Sequence, residues 1–109
     1  MEVVVREGKD MRMGLLLDFY EPLMTEKQSE LLRNYYDLDL SLSELAEDTG
    51  VSRQAVQFAL KKAEKKLLSF EEKLRLRERY EASQALIDAF EAGKETAALV
   101  EDLKKAWED

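Results

Sequence analysis

Apolar residues recur along this chain at helical spacing, and short breaks divide them into segments. Met11, Met13, Leu15, Leu16, Leu17, Phe19 and Tyr20 open the pattern. They encircle the helix axis almost completely, which predicts burial on more than one side. Asp10 is placed to cap this helix and Pro22 to stop it. Thr25 and Gln28 have the spacing of a capping box for the next segment, whose inward stripe is Leu31, Leu32, Tyr35 and Tyr36. Two readings fit the tyrosine pair: core packing with hydroxyls at the rim, or stacking on bases. Asp37 to Leu40 is a short solvated connector.

The stretch from Ser41 to Leu67 carries the densest local signals. Ser41 and Glu44 form a second capping box, and Leu42, Leu45 and Ala46 follow at helical spacing. Gly50 ends that helix, because Gly takes a left-handed conformation at little steric cost. Val51 is expected as an apolar plug, and Ser52 as the cap of another helix. Val56, Ala59, Leu60, Ala63 and Leu67 predict that helix's buried face. Arg53, Gln54, Gln57, Phe58, Lys61, Lys62 and Lys65 lie opposite. Two helices around a tight Gly turn, with Arg and Gln opening the second, have the layout of a helix-turn-helix. The same pattern also serves as a corner in plain helical bundles.

Beyond Leu67 the helix continues, with a bend expected near Ser69. Phe70 and Leu74 extend its inward face, and Leu76, Tyr80, Ile87 and Phe90 then mark a second stripe. That stripe needs a surface to pack on. It is either a dimer interface with a second copy, or the seat of the last helix, Glu95 to Trp107, folded back after Gly93. Trp107 reads as a packing anchor. The expected fold is all-α. Residues 1–10 form an arm, with Glu2 to Val5 as a short extended piece. Residues 11–69 form a helix-turn-helix domain, and residues 70–109 a long helix plus a short final one.

Charge sharpens this picture. The chain has 109 residues and a net charge of −7. Residues 51–68 carry five basic side chains and one acidic, whereas residues 1–50 and 69–109 are both net acidic. Any nucleic-acid affinity is therefore concentrated on the second helix of the motif, and should depend strongly on salt. Lys73, Arg75, Arg77 and Arg79 interleave with Glu71, Glu72, Glu78 and Glu81, as on a solvated face with paired charges, the alternative being a phosphate-binding role for the basic residues.

Candidate chemistry is sparse. Cys and His are both absent. Disulfides, most zinc sites and the usual His-based acid–base arrangements go with them, as suits a reducing, cytoplasmic setting. No Gly-rich phosphate loop or Ser–base pairing is visible, so neither an enzyme nor a bound cofactor or metal is expected. No apolar run reaches the ~20 residues that span a bilayer, and the three valines near the start fall short of a signal-peptide core.

Two resemblances follow from these residues. DLSLSELAEDTGVSRQAV is similar to the helix-turn-helix of region 4 of bacterial primary sigma factors. The longer order, LLLDFY, then LMTEKQ, then VSRQAV, resembles the YlxM family across about Met11 to Phe90. That resemblance implies a small bacterial cytosolic protein linked with the signal recognition particle pathway. Three functions follow as expectations. The first is a regulatory helix-turn-helix protein on duplex DNA or structured RNA. In it Arg53, Gln54 and Gln57 face bases, Phe58 meets a thymine methyl, and Ser52, Lys61, Lys62 and Lys65 contact phosphates. The second is an interaction factor for the particle's RNA, its GTPase or that GTPase's receptor. The third is a helical dimer whose motif is scaffold alone. The basic residues along the second helix are sparser than in sigma region 4, which weakens promoter-like recognition and strengthens the second reading.

Overall fold

A computed structural model describes residues 5, 6 and 9–108. Its described part contains six α-helices, one 3₁₀ turn and a two-stranded antiparallel ladder. The expected all-α class holds, and the ladder is a minor addition. It pairs β1 (Val5–Arg6) with β2 (Lys9–Asp10), with Val5 opposite Asp10 and Arg6 opposite Lys9. Residues 9 and 10 are therefore structured and do not belong to a loose arm. Of the expected extended piece, residues 2–4 lie outside the described residues.

Helix α1 (Arg12–Tyr20) starts where the Asp10 carboxylate accepts the Arg12 backbone N–H at 3.0 Å. Met13, Leu16, Leu17 and Tyr20 are buried, a single i, i+3, i+4, i+7 stripe. Leu15 is exposed, contrary to burial all round: α1 packs on the second and fourth helices and leaves one flank open. Pro22 sits in the 3₁₀ turn Glu21–Leu23, where its missing N–H costs nothing. Helix α2 (Glu26–Tyr36) opens with the predicted capping box. Thr25 Oγ1 accepts from the Gln28 N–H at 3.1 Å, and Gln28 Oε1 accepts from the Thr25 N–H at 3.2 Å. Arg33 ties the start of the domain together by pairing with Asp18, Glu21 and Asp37.

Helix α3 (Leu42–Thr49) has the second capping box, between Ser41 and Glu44. It ends at Gly50, whose φ of 73° is left-handed. Helix α4 (Arg53–Leu74) runs for 22 residues, with Val56, Leu60, Ala63 and Leu67 buried. Ala59 belongs on the flank of that stripe and is exposed, as is Val51, which lies in the turn, off the inward stripe of either helix. Helices α1, α2 and α3 all pack against α4, and the core lies between them.

Helix α4 continues without interruption through Ser69 to Leu74. The break falls at Arg75, which adopts φ 53°, an uncommon conformation for a residue with a Cβ. There the chain divides into two compact units, residues 1–74 and 75–109. The second unit is a hairpin of α5 (Leu76–Glu91) and α6 (Thr96–Ala106), turned at Gly93 with φ 89°. Its closure is polar. Trp107 Nε1 donates to Ser83 Oγ at 2.9 Å, Arg79 Nη1 donates to the Trp107 carbonyl at 2.7 Å, and Arg75 Nη2 donates to the Glu108 carbonyl at 3.1 Å. Trp107 is thus an anchor, although its own surface stays about half exposed.

Candidate nucleic-acid interface

Three residues, Gly50, Val51 and Ser52, separate α3 from α4, which is the short connection a helix-turn-helix needs. Ser52 Oγ accepts the Ala55 N–H at 3.0 Å and so caps α4. Its hydroxyl proton is still available to a phosphate. Arg53, Gln54, Gln57, Phe58, Lys61, Lys62 and Lys65 are all exposed. Their i, i+1, i+4, i+5 spacing sets them on one outer face, opposite Val56, Leu60, Ala63 and Leu67. Phe58 is 71% exposed, an unusual position for a large aromatic ring outside an interface.

The electrostatics of this face depend on Glu64, the one acid among residues 51–68. Glu64 is half-buried on the inner side of α4 and accepts the Tyr36 hydroxyl proton at 2.6 Å. That contact withdraws the carboxylate from the outer face and leaves cations on it. Burial, and then the bond to Glu64, push the Tyr36 hydroxyl well above the ordinary tyrosine range. The core-packing expectation holds for Tyr36. Tyr35 is half-buried at the rim, edge-on to Tyr36 with ring centroids 4.9 Å apart.

Lys9 is the important residue that sequence reasoning missed. Its ammonium donates to the carbonyls of Tyr35 and Leu40, both at 2.8 Å, and pairs with Asp39 at 3.1 Å. It also lies 4.0 Å from the centroid of the Tyr35 ring. Only 6% of Lys9 is exposed. These contacts pin the α2–α3 connector, in which Asp39 takes a left-handed φ of 57°. The orientation of α3 therefore depends on a lysine more than 25 residues upstream of its partners. No periodicity marks such a residue.

Between β2, the end of α2, the start of α3 and the side of α4 lies a cavity of about 200 Å³. Lys9, Asp10, Tyr35, Tyr36, Leu42, Gln57, Leu60, Lys61 and Glu64 line it. Among the described residues no carboxylate cluster is arranged to hold a metal ion. None of their helices is long and apolar enough to cross a membrane.

A family model described as "Putative helix-turn-helix protein, YlxM / p13 like" (UPF0122) matches residues 7–106. The chain belongs to this family. It is 46% identical to the UPF0122 protein of Shouchella clausii over 72% of each chain. It is 44% identical to that of Listeria innocua over 77% of this chain and 76% of the relative. With the Halalkalibacterium halodurans protein it shares 40% identity over 87% of each. The resemblance read from LLLDFY, LMTEKQ and VSRQAV is therefore correct. The matched span also reaches well past Phe90, into α6. The family is described by its helix-turn-helix and not by a reaction.

The residues expected at a dimer interface lie on α5. Tyr80, Ile87 and Phe90 are exposed and Leu76 is half-buried. Helix α6 does fold back on α5, yet it leaves those three side chains exposed. Of the interleaved charges, Arg77 pairs with Glu81 at 3.2 Å and Arg75 approaches Glu78 at 4.0 Å, as expected of a charged helix face. Arg79 departs from that pattern: it is buried and holds the end of α6.

Proposed function

We propose that this protein is a cytoplasmic regulatory factor that binds nucleic acid through the outer face of α4. One observation carries the reading. Arg53, Lys61, Lys62 and Lys65 stand exposed on a single helix face, while Glu64, the one acid of residues 51–68, is turned inward onto Tyr36. Lys61, Lys62 and Lys65 meet phosphates, with Ser52 at the helix start. Arg53, Gln54 and Gln57 face base edges, and Phe58 offers apolar contact. Four cations limit the number of phosphates neutralised. The slope of log K against log salt is therefore expected to be no steeper than about −4.

A second reading is an interaction factor in the signal recognition particle pathway, with the particle's RNA, its GTPase or that GTPase's receptor as partner. The family resemblance implies that pathway. The acidic charge outside residues 51–68 favours a compact, local contact over a long track along duplex DNA.

The test is binding of duplex DNA and of structured RNA by the intact chain at several salt concentrations. Lys61→Glu with Lys65→Glu is expected to abolish binding. Arg53→Ala or Gln54→Ala is expected to cost ~1–3 kcal/mol on a preferred sequence and little on others. Equal loss on every sequence would assign α4 to backbone contacts and favour the particle-RNA reading. No loss from any of these changes would reduce the motif to scaffold.

A further inference from the structure

The cavity beside α4 shares Gln57 and Lys61 with the outer face, and its other walls take no part in that face. Gln57, Leu60, Lys61 and Glu64 follow at i, i+3, i+4 and i+7, so one edge of α4 forms a continuous side of it. Tyr35, Tyr36 and Leu42 also line it, Tyr36 almost fully buried and Tyr35 with the Lys9 ammonium near its ring. Its volume of about 200 Å³ lies below the roughly 300 Å³ at which pockets begin to engulf small-molecule ligands. There is room for one planar ring system and little more.

The charges point to a neutral occupant. Lys9 is spent on Tyr35, Asp39 and Leu40, and Asp10 on Arg12. Glu64 holds Tyr36 with one carboxylate oxygen, and its other oxygen remains an acceptor. The side chains of Gln57 and Lys61 make no hydrogen bond or ion pair among the described residues, and both also belong to the outer face. A group entering here meets the side chains of Tyr35, Leu42 and Leu60 along the walls. At its edge it meets an amide that donates and accepts, an ammonium and a carboxylate. Lys61 borders both the cavity and the outer face, and Lys62 and Lys65 belong to the outer face alone.

The geometry points to a pocket for a single unpaired nucleobase, extruded from a nucleic acid whose backbone lies on the outer face of α4. Proteins that read unpaired bases do so by packing the ring on aromatic side chains and bonding its edge. A base within a perfect duplex cannot enter without flipping out of its stack. This inference rests on the proposed binding face. It adds that an unpaired base, in a bulge or a loop, sets the preference.

The test uses the full chain and hairpins of one sequence, in RNA and in DNA, each with and without one bulged nucleotide. The bulged position carries 2-aminopurine. Native protein is expected to prefer the bulged hairpin roughly ten- to a hundredfold, the range that stacking of one base supplies. The 2-aminopurine fluorescence should be quenched on binding by contact with tyrosine. Leu42→Trp fills the cavity without touching the outer face, and Gln57→Leu removes an edge contact that the cavity shares with that face. In both variants the ratio of bulged to unbulged affinity should fall towards one, with helicity checked by circular dichroism. A preference in only one backbone supports the pocket and names its source. A ratio of one for native protein, or a ratio kept in both variants, overturns the pocket while leaving the α4 face standing. Absence of binding to every hairpin at low salt overturns both.

Discussion

The two units of this molecule are built from similar helices and held by different forces. The described residues of 1–74 include twelve buried apolar side chains. Among the described residues of 75–109 the one buried side chain is Arg79. The first unit rests on hydrophobic burial, with Leu17, Leu32, Leu45 and Leu67 all but sealed from water. The second is closed by Arg79, Ser83 and Trp107 through polar contacts at its open end. It leaves Tyr80, Ile87, Phe90, Val100, Leu103 and Trp107 exposed. A helical hairpin of this size with no fully buried apolar side chain among its described residues is marginal by itself. Its exposed apolar surface has the character of an interface. The contrast separates a unit with a sealed apolar core from one whose apolar side chains stand at the surface.

The largest expected effect breaks the comparison at its centre. Leu45→Ala, in the first unit, should cost about 2–5 kcal/mol from lost burial and the cavity left behind. Leu103→Ala, in the second, should cost less than about 0.5 kcal/mol in the isolated chain. Denaturant midpoints of the two variants measure this directly. Equal losses would mean that the second unit has an apolar core after all.

A smaller effect concerns the two left-handed glycines. A Cβ at Gly50 or Gly93 meets nothing within 4 Å, so substitution there tests backbone strain alone. Gly50→Val should destabilise the first unit by roughly 1–2 kcal/mol or more. Gly93→Val carries similar local strain, but should leave the denaturant midpoint of the first unit unchanged. Amide exchange resolved by residue distinguishes the two.

Tyr36 gives the first unit a dependence on alkaline pH. A tyrosine is neutral when protonated, and its hydroxyl is held above the unfolded value of about 10 in this fold. Its contribution is therefore complete below pH ~10. It falls as pH rises beyond that, because the unfolded chain then gives up the proton first. Tyr36→Phe should flatten the alkaline loss of stability, measured as the denaturant midpoint between pH 9 and pH 11. An unchanged slope would mean the Tyr36–Glu64 bond contributes little.

The least effect on folding, and the largest on association, belongs to the second unit. We expect Ile87→Glu with Phe90→Glu to leave the thermal midpoint nearly unchanged. Sedimentation at tens of micromolar should show native chains as a dimer and this variant as the 12.6 kDa monomer. A native chain sedimenting as a monomer would leave the exposed surface to a different partner.

What the sequence by itself determined about this protein is what neighbouring residues decide. Thr25 with Gln28, Ser41 with Glu44, and Ser52 with Ala55 are bonds across three positions, and each helix start they predicted is present. Gly50 required only its own backbone. The outer face of α4 follows from helical spacing, so all its candidate residues were legible. Tertiary structure decided whatever depends on contacts far apart in the chain. Lys9 reaches Leu40, Tyr20 reaches Glu71, and Tyr36 turns Glu64 inward. Leu15, Val51 and Ala59 are exposed because a helical period marks an apolar stripe without saying how much of it the neighbours cover. The helix break at Arg75 has no Gly or Pro to announce it. There a left-handed arginine donates to the carbonyl of Glu108, 33 positions away, a contact that no local rule supplies.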